Sequence, residues 1–199
     1  MSPPLPSDAQ LDALREVANI GCGHAANALS RLMGGRKVDL SVPRALVTDP
    51  AGAAELLGGE APVVASWLGM TGELRGVLLL VLPTQDSTAL EALLLGGRDA
   101  DAAERDSMLM EVANIVASAC LSAIGKLTGW RLMPTVPSLR RGSAHGVVEA
   151  AVGQVRGNVG PVVVLEARFS SAAAPEVGGQ VLLVLERDSS HALLTRLGV

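Results

Sequence analysis

The sequence predicts an α+β fold built from two copies of one unit, each α-β-α-β-β-α. Three observations lead there. A helix-period segment, LDALREVANIGCGHAANALSRLMGG, runs into the strand-like KVDLSVPRALV, and a second pair of this kind begins near Ala102. Glu16 and Asn19 recur as Glu111 and Asn114, both 95 positions later. The stretch GVLLLVLPTQDSTALEALL from Gly76 is matched by GQVLLVLERDSSHALLTRL from Gly179. A repeat of this length implies a pseudo-twofold arrangement. Three strands from each half then form one mostly antiparallel six-stranded sheet, with the two long helices packed on it. The expected organisation is one domain over residues 1–199, with half one at about 7–97 and half two at about 101–199.

In chain order, Pro3, Pro4 and Pro6 make an extended or disordered lead-in, and Ser7 is placed to cap a helix over Asp8–Met33 that Gly34-Gly35 ends. Arg36–Thr48 reads as a strand. Pro43 inside it removes a ladder donor, so this strand belongs at a sheet edge or carries a bulge. A short helix over Ala51–Leu57 follows, then strands near Ala61–Met70 and Leu74–Leu82 joined at Gly72-Glu73, then a helix from Asp86 to about Leu95. Gly96–Ala100 separates the halves. The second half repeats the order: a helix over Ala102–Leu127, a strand around Arg131–Leu139, a weakly signalled segment at Ser143–Ala150, strands near Gly153–Phe169 and Gly179–Leu185, and a helix over Asp188–Leu197.

Composition narrows the function classes. The chain has 199 residues, a formal net charge of -4 and only 2% aromatics, and no basic patch interleaved with aromatics suggests nucleic acid. The N-terminus lacks the basic region and apolar run of a signal peptide. The longest apolar runs, such as Val77–Leu82 and Val181–Leu185, are short, and nothing is expected to approach a membrane span. Cys22 and Cys120 each lie inside a predicted helix, which argues for packing rather than for a disulfide framework or nucleophiles. His24, His145 and His191 are scattered, so no metal site is expected. A cytoplasmic protein is the expectation. Trp67 and Trp130 read as core or edge-of-core residues, and Arg140-Arg141 as a solvated loop.

The chemistry-bearing residues lie on the two long helices. Asp12, Glu16 and Asn19, at i, i+4 and i+7, fall within about 60° of one another around a helix. Leu14, Ala18, Gly21, Ala25, Ala28 and Leu32 occupy the opposite side, so the polar line faces away from a buried stripe. Ser107, Glu111 and Asn114 repeat the spacing. Beyond Asn19 the outward line continues through Gly23 and Ala26, and beyond Asn114 through the bulkier Ser118 and Leu121, which makes the two lines unequal. Gly21-Cys22-Gly23 lacks the context of a phosphate loop. Two helix glycines cost about 1 kcal/mol each against alanine, and so suggest close packing or close approach.

The pattern D/S-x3-E-x2-N followed by about 22 residues and a proline resembles the CheC/CheX/FliY family of bacterial chemotaxis phosphatases. Asp12-x3-Glu16-x2-Asn19 with Pro43 matches it, as does Ser107-x3-Glu111-x2-Asn114 with Pro137. The surrounding NIGCGHAANALSRLMGG…SVP is similar to the CheC branch. CheX resembles a single-motif relative, and FliY carries a further flagellar-switch domain that this length leaves no room for. The resemblance implies a phosphatase acting on the aspartyl phosphate of a CheY-like receiver. Asn19 and Asn114 would orient the attacking water, and Glu16 and Glu111 would pair with the receiver's lysine. Asp12, Ser107, Pro43 and Pro137 would support the motif, Asp12 and Ser107 by capping or by supporting the Glu from one turn earlier, the prolines by shaping the strand beside each helix. No cofactor of its own is implied; Mg2+ would come with the receiver. The alternatives are a non-catalytic module that binds or senses phosphorylated receivers, an adaptor for the deamidase CheD or a motility complex, or a purely structural relative. The family's CheD surface lies around the short helix of the second half, where an acidic residue is expected. There LRRGSAHGVVEA has Arg140 and Arg141 and no Asp, which argues against CheD. The duplication supplies the twofold internally, so a monomer is expected.

Overall fold

In the computed structural model, which describes residues 2–154 and 160–199, six helices surround one curled antiparallel sheet. The order is α1 (Asp8–Leu32), β1 (Asp39–Leu40), β2 (Arg44–Thr48), α2 (Pro50–Leu56), β3 (Pro62–Thr71), β4 (Gly76–Pro83) and α3 (Thr84–Leu95). The second half follows with α4 (Ala102–Thr128), β5 (Met133–Pro134), β6 (Ser138–Ser143), α5 (Ala144–Val152), β7 (Val162–Ser171), β8 (Val177–Leu185) and α6 (Arg187–Leu197). The strand expected near Gly153–Phe169 is β7; the 155–159 part of that expectation lies outside the described residues.

The long helices start where their caps lie. Ser7 and Gln10 form a reciprocal box: the Gln10 N–H donates to the Ser7 hydroxyl, 3.3 Å, and the Ser7 N–H to the Gln10 side-chain oxygen, 3.0 Å. Asp101 caps α4 through the Glu104 N–H, 2.8 Å, and Gly129 closes it in the left-handed conformation. The lead-in is held down, since Arg187 donates to the Pro3 carbonyl at 2.8 Å.

Each expected proline-containing strand is two short strands sharing one lane. β1 and β2 both pair with β7, and β5 and β6 both pair with β3, so eight strands fill six lanes. Both breaks are one-residue bulges. Leu40 faces Phe169 and Arg44 faces Glu166, four steps against three; Pro134 faces Met70 and Ser138 faces Trp67, again four against three. In each bulge a hydroxyl replaces a ladder carbonyl. Ser41 accepts from the Arg168 N–H at 2.9 Å, and Thr135 from the Gly69 N–H at 2.8 Å. The extra residue is displaced into solvent, leaving Val42 78% and Val136 86% exposed.

Each half's edge lane pairs with the other half's hairpin, and β4 pairs with β8 across the centre, Leu79 opposite Leu182. The uninterrupted apolar runs of β4 and β8 suit strands covered on both faces. One face carries α1, α4, α3 and α6 over a core that includes Leu29, Leu78, Leu121, Ile124 and Leu183. The other carries α2 and α5 over Trp67, Leu79, Val147 and Leu182. The segment Ser143–Ala150, weak in sequence, is the helix α5, capped by Ser143. Arg140 and Arg141 are not a loop: they are in β6, opposite Ala65 and Val64. Against the expectation that nothing approaches a membrane span, α4 is long and apolar enough by composition to cross one; more than half of its most apolar stretch is buried in this core.

Candidate functional site

The motif side chains stand on the outer faces of α1 and α4. Leu14, Val17, Ala18 and Gly21 are buried on α1 while Asp12, Glu16 and Asn19 are exposed. On α4, Leu109, Val112, Ala113 and Val116 are buried, Ser107 and Glu111 exposed, and Asn114 half-buried. Amphipathic periodicity thus separates a packing stripe from a polar line on each helix. Glu16, Asn19, Glu111 and Asn114 make no side-chain hydrogen bond or ion pair within the chain among the described residues. All four polar groups are therefore available to another molecule.

The flanking motif positions differ between halves. Asp12 does not cap its helix; it pairs with Arg15 at 3.1 Å. Pro43 is buried, and it lines a cavity of about 320 Å³ together with Leu11, Asp12 and Arg15. Ser107 is likewise not a cap, that role being taken by Asp101. Next to Ser107, Asp106 binds Arg141 at 2.6 Å, and Arg141 also lies 3.7 Å from the buried Glu91. Pro137 is half-buried in the second bulge.

The outward lines bend inward sooner than the spacing suggests. Ala26 is 7% and Leu121 1% exposed, so neither lies on an open line, and Leu121 lies beside Leu132 and Pro134 of the segment that follows α4. The exposed run beyond Asn114 instead goes through Ser118, Ser122 and Lys126. A constant four-residue step from Asn114 would have found it. Gly23 has nothing within 4 Å of where a Cβ would lie, whereas Gly21 is pressed against Cys120 and Ile124. The glycine pair therefore serves both purposes, one packing and one open.

Two buried groups near the core have shifted acidities. Cys120 is raised well above the ordinary thiol value by its hydrogen bond with Cys22, by burial and by the Cys22 charge. Glu166 is pushed up by burial, but hydrogen bonds from Arg44 and Gln180 and the charges of Arg44 and Arg168 outweigh this and hold it below the usual carboxylate value. No group of three or more His, Cys, Asp or Glu side chains is placed to hold a metal among the described residues.

Comparison with known proteins finds relatives in sequence and in fold. The CheC-like family pattern matches residues 10–47, the stretch from α1 through the first bulge into β2. The CheY-P phosphatase CheC of Bacillus subtilis is 30% identical over 198 residues, covering 95% of this chain and 94% of that protein. The crystal structure of Thermotoga maritima FliY superposes with a TM-score of 0.76 at 19% identity, over 97% of this chain and 99% of that one. The CheX of the Borrelia burgdorferi CheX-CheY-BeF3-Mg2+ complex gives 0.58 at 15% identity, over 84% of this chain and 97% of that one. By its fold, its first motif segment and its full-length identity to a CheY-P phosphatase, this chain belongs to the CheC-like family.

Proposed function

We infer that the protein is a phosphatase for the aspartyl phosphate of a CheY-like receiver. The observation that carries this reading is the duplicated Glu/Asn pair, presented unpartnered on the outer faces of both long helices. An acyl phosphate is already labile, so a helper protein need supply neither nucleophile nor metal; it needs to hold water in line with the leaving oxygen. An amide suits this. Its carbonyl accepts from the water and its NH2 donates to a phosphoryl oxygen, without bringing negative charge to an anionic centre. Asn19 and Asn114 take that role. Glu16 and Glu111, one turn earlier, bind the receiver's lysine and set register. The Mg2+ belongs to the receiver. The protein acts in the cytoplasm as a monomer of one domain, its internal twofold replacing a dimer.

A CheD adaptor role gains one observation: α5 carries the exposed Glu149, an acidic residue on the short helix of the second half.

The test is phosphate loss from an acetyl-phosphate-charged CheY-like receiver with Mg2+, with and without the protein and its Asn19→Ala/Asn114→Ala variant. Acceleration that disappears in the variant supports the phosphatase. An unchanged rate in the variant removes it. Binding that depends on receiver phosphorylation, without acceleration, favours a sensing module.

A further inference from the structure

A groove of about 630 Å³ opens beside the second motif, between the C-terminal half of α4 and β5. It begins at Ser118, one turn past Asn114, and runs over Leu121 to Lys126, Trp130, Arg131 and Met133. Its floor is apolar and its rim cationic, and no carboxylate is among the residues that line it. Met133 is 58% exposed, and Lys126 and Arg131 are exposed too. Neither cation is in an ion pair among the described residues. Arg196 adds a third positive charge at the far end, donating to the Thr128 carbonyl at 2.6 Å.

The first half does not repeat these features. Ninety-five positions earlier on the helix, Gly23 stands where Ser118 does and Arg31 where Lys126 does; at the bulges the offset is 94, so Asp39 stands where Met133 does. The counterpart of Arg131 is then Lys37, which is paired with Asp39 at 3.2 Å, and the neighbouring Arg36 guanidinium is committed to the Ala173 and Ala174 carbonyls at 3.1 and 2.8 Å.

We propose that this groove is a docking surface, present at the second site only, for an acidic segment bearing an apolar side chain on the same receiver whose phosphoryl group meets Asn114. The proposal rests on the reading of Asn114 above. Charge complementarity and continuity carry it. The protein has a formal net charge of -4, so an anionic partner is repelled on average and needs a local cationic surface to be steered and held. The unpaired cations of the groove supply it within a few helical turns of the amide, and Trp130 and Met133 offer apolar contact. The two sites then differ in how they grip the receiver rather than in their reacting groups.

The experiment measures binding of a beryllofluoride-charged CheY-like receiver to two backgrounds. One retains only the second site (Glu16→Ala/Asn19→Ala) and the other only the first (Glu111→Ala/Asn114→Ala). Lys126→Glu/Arg131→Glu is added to each. Both side chains are exposed, and circular dichroism confirms that each variant is folded. The expected result is binding about tenfold weaker, with a shallower salt dependence, in the second-site background, and a change of less than about twofold in the first-site background. Equal weakening in both backgrounds, no weakening in either, or no receiver binding at all overturns the proposal. Hydrolysis is read separately with Asn114→Ala alone. Groove-dependent binding with hydrolysis indifferent to Asn114 would remove the catalytic reading and leave the docking surface standing.

Discussion

Gly21 on α1 lies so close to Cys120 on α4 that a Cβ added there would stand 2.8 Å from the sulfur, and 3.2 Å from Ile124. This contact sets how near the two motif helices approach each other. Two positions on, Gly23 faces open space.

The two glycines are therefore predicted to respond oppositely to alanine. Gly21→Ala overpacks the helix crossing, costing about 1–3 kcal/mol, which the gain in helix propensity offsets only in part. Gly23→Ala meets nothing and gains up to about 1 kcal/mol. Denaturant unfolding of both variants checks this. Gly23→Ala also adds a methyl group one turn beyond Asn19, and is expected to slow receiver dephosphorylation at the first site while stabilising the fold.

Removing the amides should act on hydrolysis and leave the fold intact. Asn19 and Asn114 have no intramolecular role, so either alanine variant is expected to unfold within about 0.5 kcal/mol of the parent. The double variant is expected to lose about 100-fold or more of the acceleration. Single-turnover phosphate loss from the charged receiver measures it, and the single variants rank the exposed Asn19 against the half-buried Asn114.

Acid should weaken the protein partly through Glu166. This carboxylate is 2% exposed and accepts from Arg44 at 2.8 Å and from Gln180 at 2.9 Å. Its folded-state pKa is lowered. A depressed carboxylate stabilises the fold above its unfolded value, and that contribution is lost as pH falls through the folded value. Glu166→Gln is expected to cost about 1–2 kcal/mol at pH 7, at the low end because Arg44 and Arg168 are half-exposed and can be resolvated. The gap to the parent should narrow as the pH is lowered, as followed by urea unfolding across the acid range.

Neither cysteine should react in the native state. Cys22 and Cys120 are both fully buried, and the Cys120 thiol is held well above its usual value. Because the thiolate is the reactive form, a thiol reagent is expected to label neither residue at neutral pH and both after denaturation. Rapid native labelling would show that the α1–α4 interface opens.

Much of this protein can be read along the chain. Ser7 and the glycine pairs locate helix ends, because caps and left-handed turns are local needs. Pro43 and Pro137 mark edge lanes, because a missing donor excludes a central strand. The 95-residue offset of Glu16 and Asn19 from Glu111 and Asn114 discloses the duplication and puts both pairs on outer helix faces. The α5 helix was only weakly legible, since its apolar AHGVVEAAV takes its shape from packing against α2 and the sheet.

Tertiary structure alone decided which strands pair. Arg44 meets Glu166 and Arg141 lies opposite Val64, each half lending its edge lane to the other. Strand pairing joins residues more than a hundred positions apart in the first case, and local sequence carries the pleat but not the partner. The same holds for the site. Spacing placed Ala26 and Leu121 on the exposed lines; the tertiary fold buries them and leaves Ser118, Ser122 and Lys126 open instead. Helical periodicity defines a face only until a neighbouring element covers it, and how closely α1 and α4 approach is set by the volumes of Gly21, Cys120 and Ile124 together.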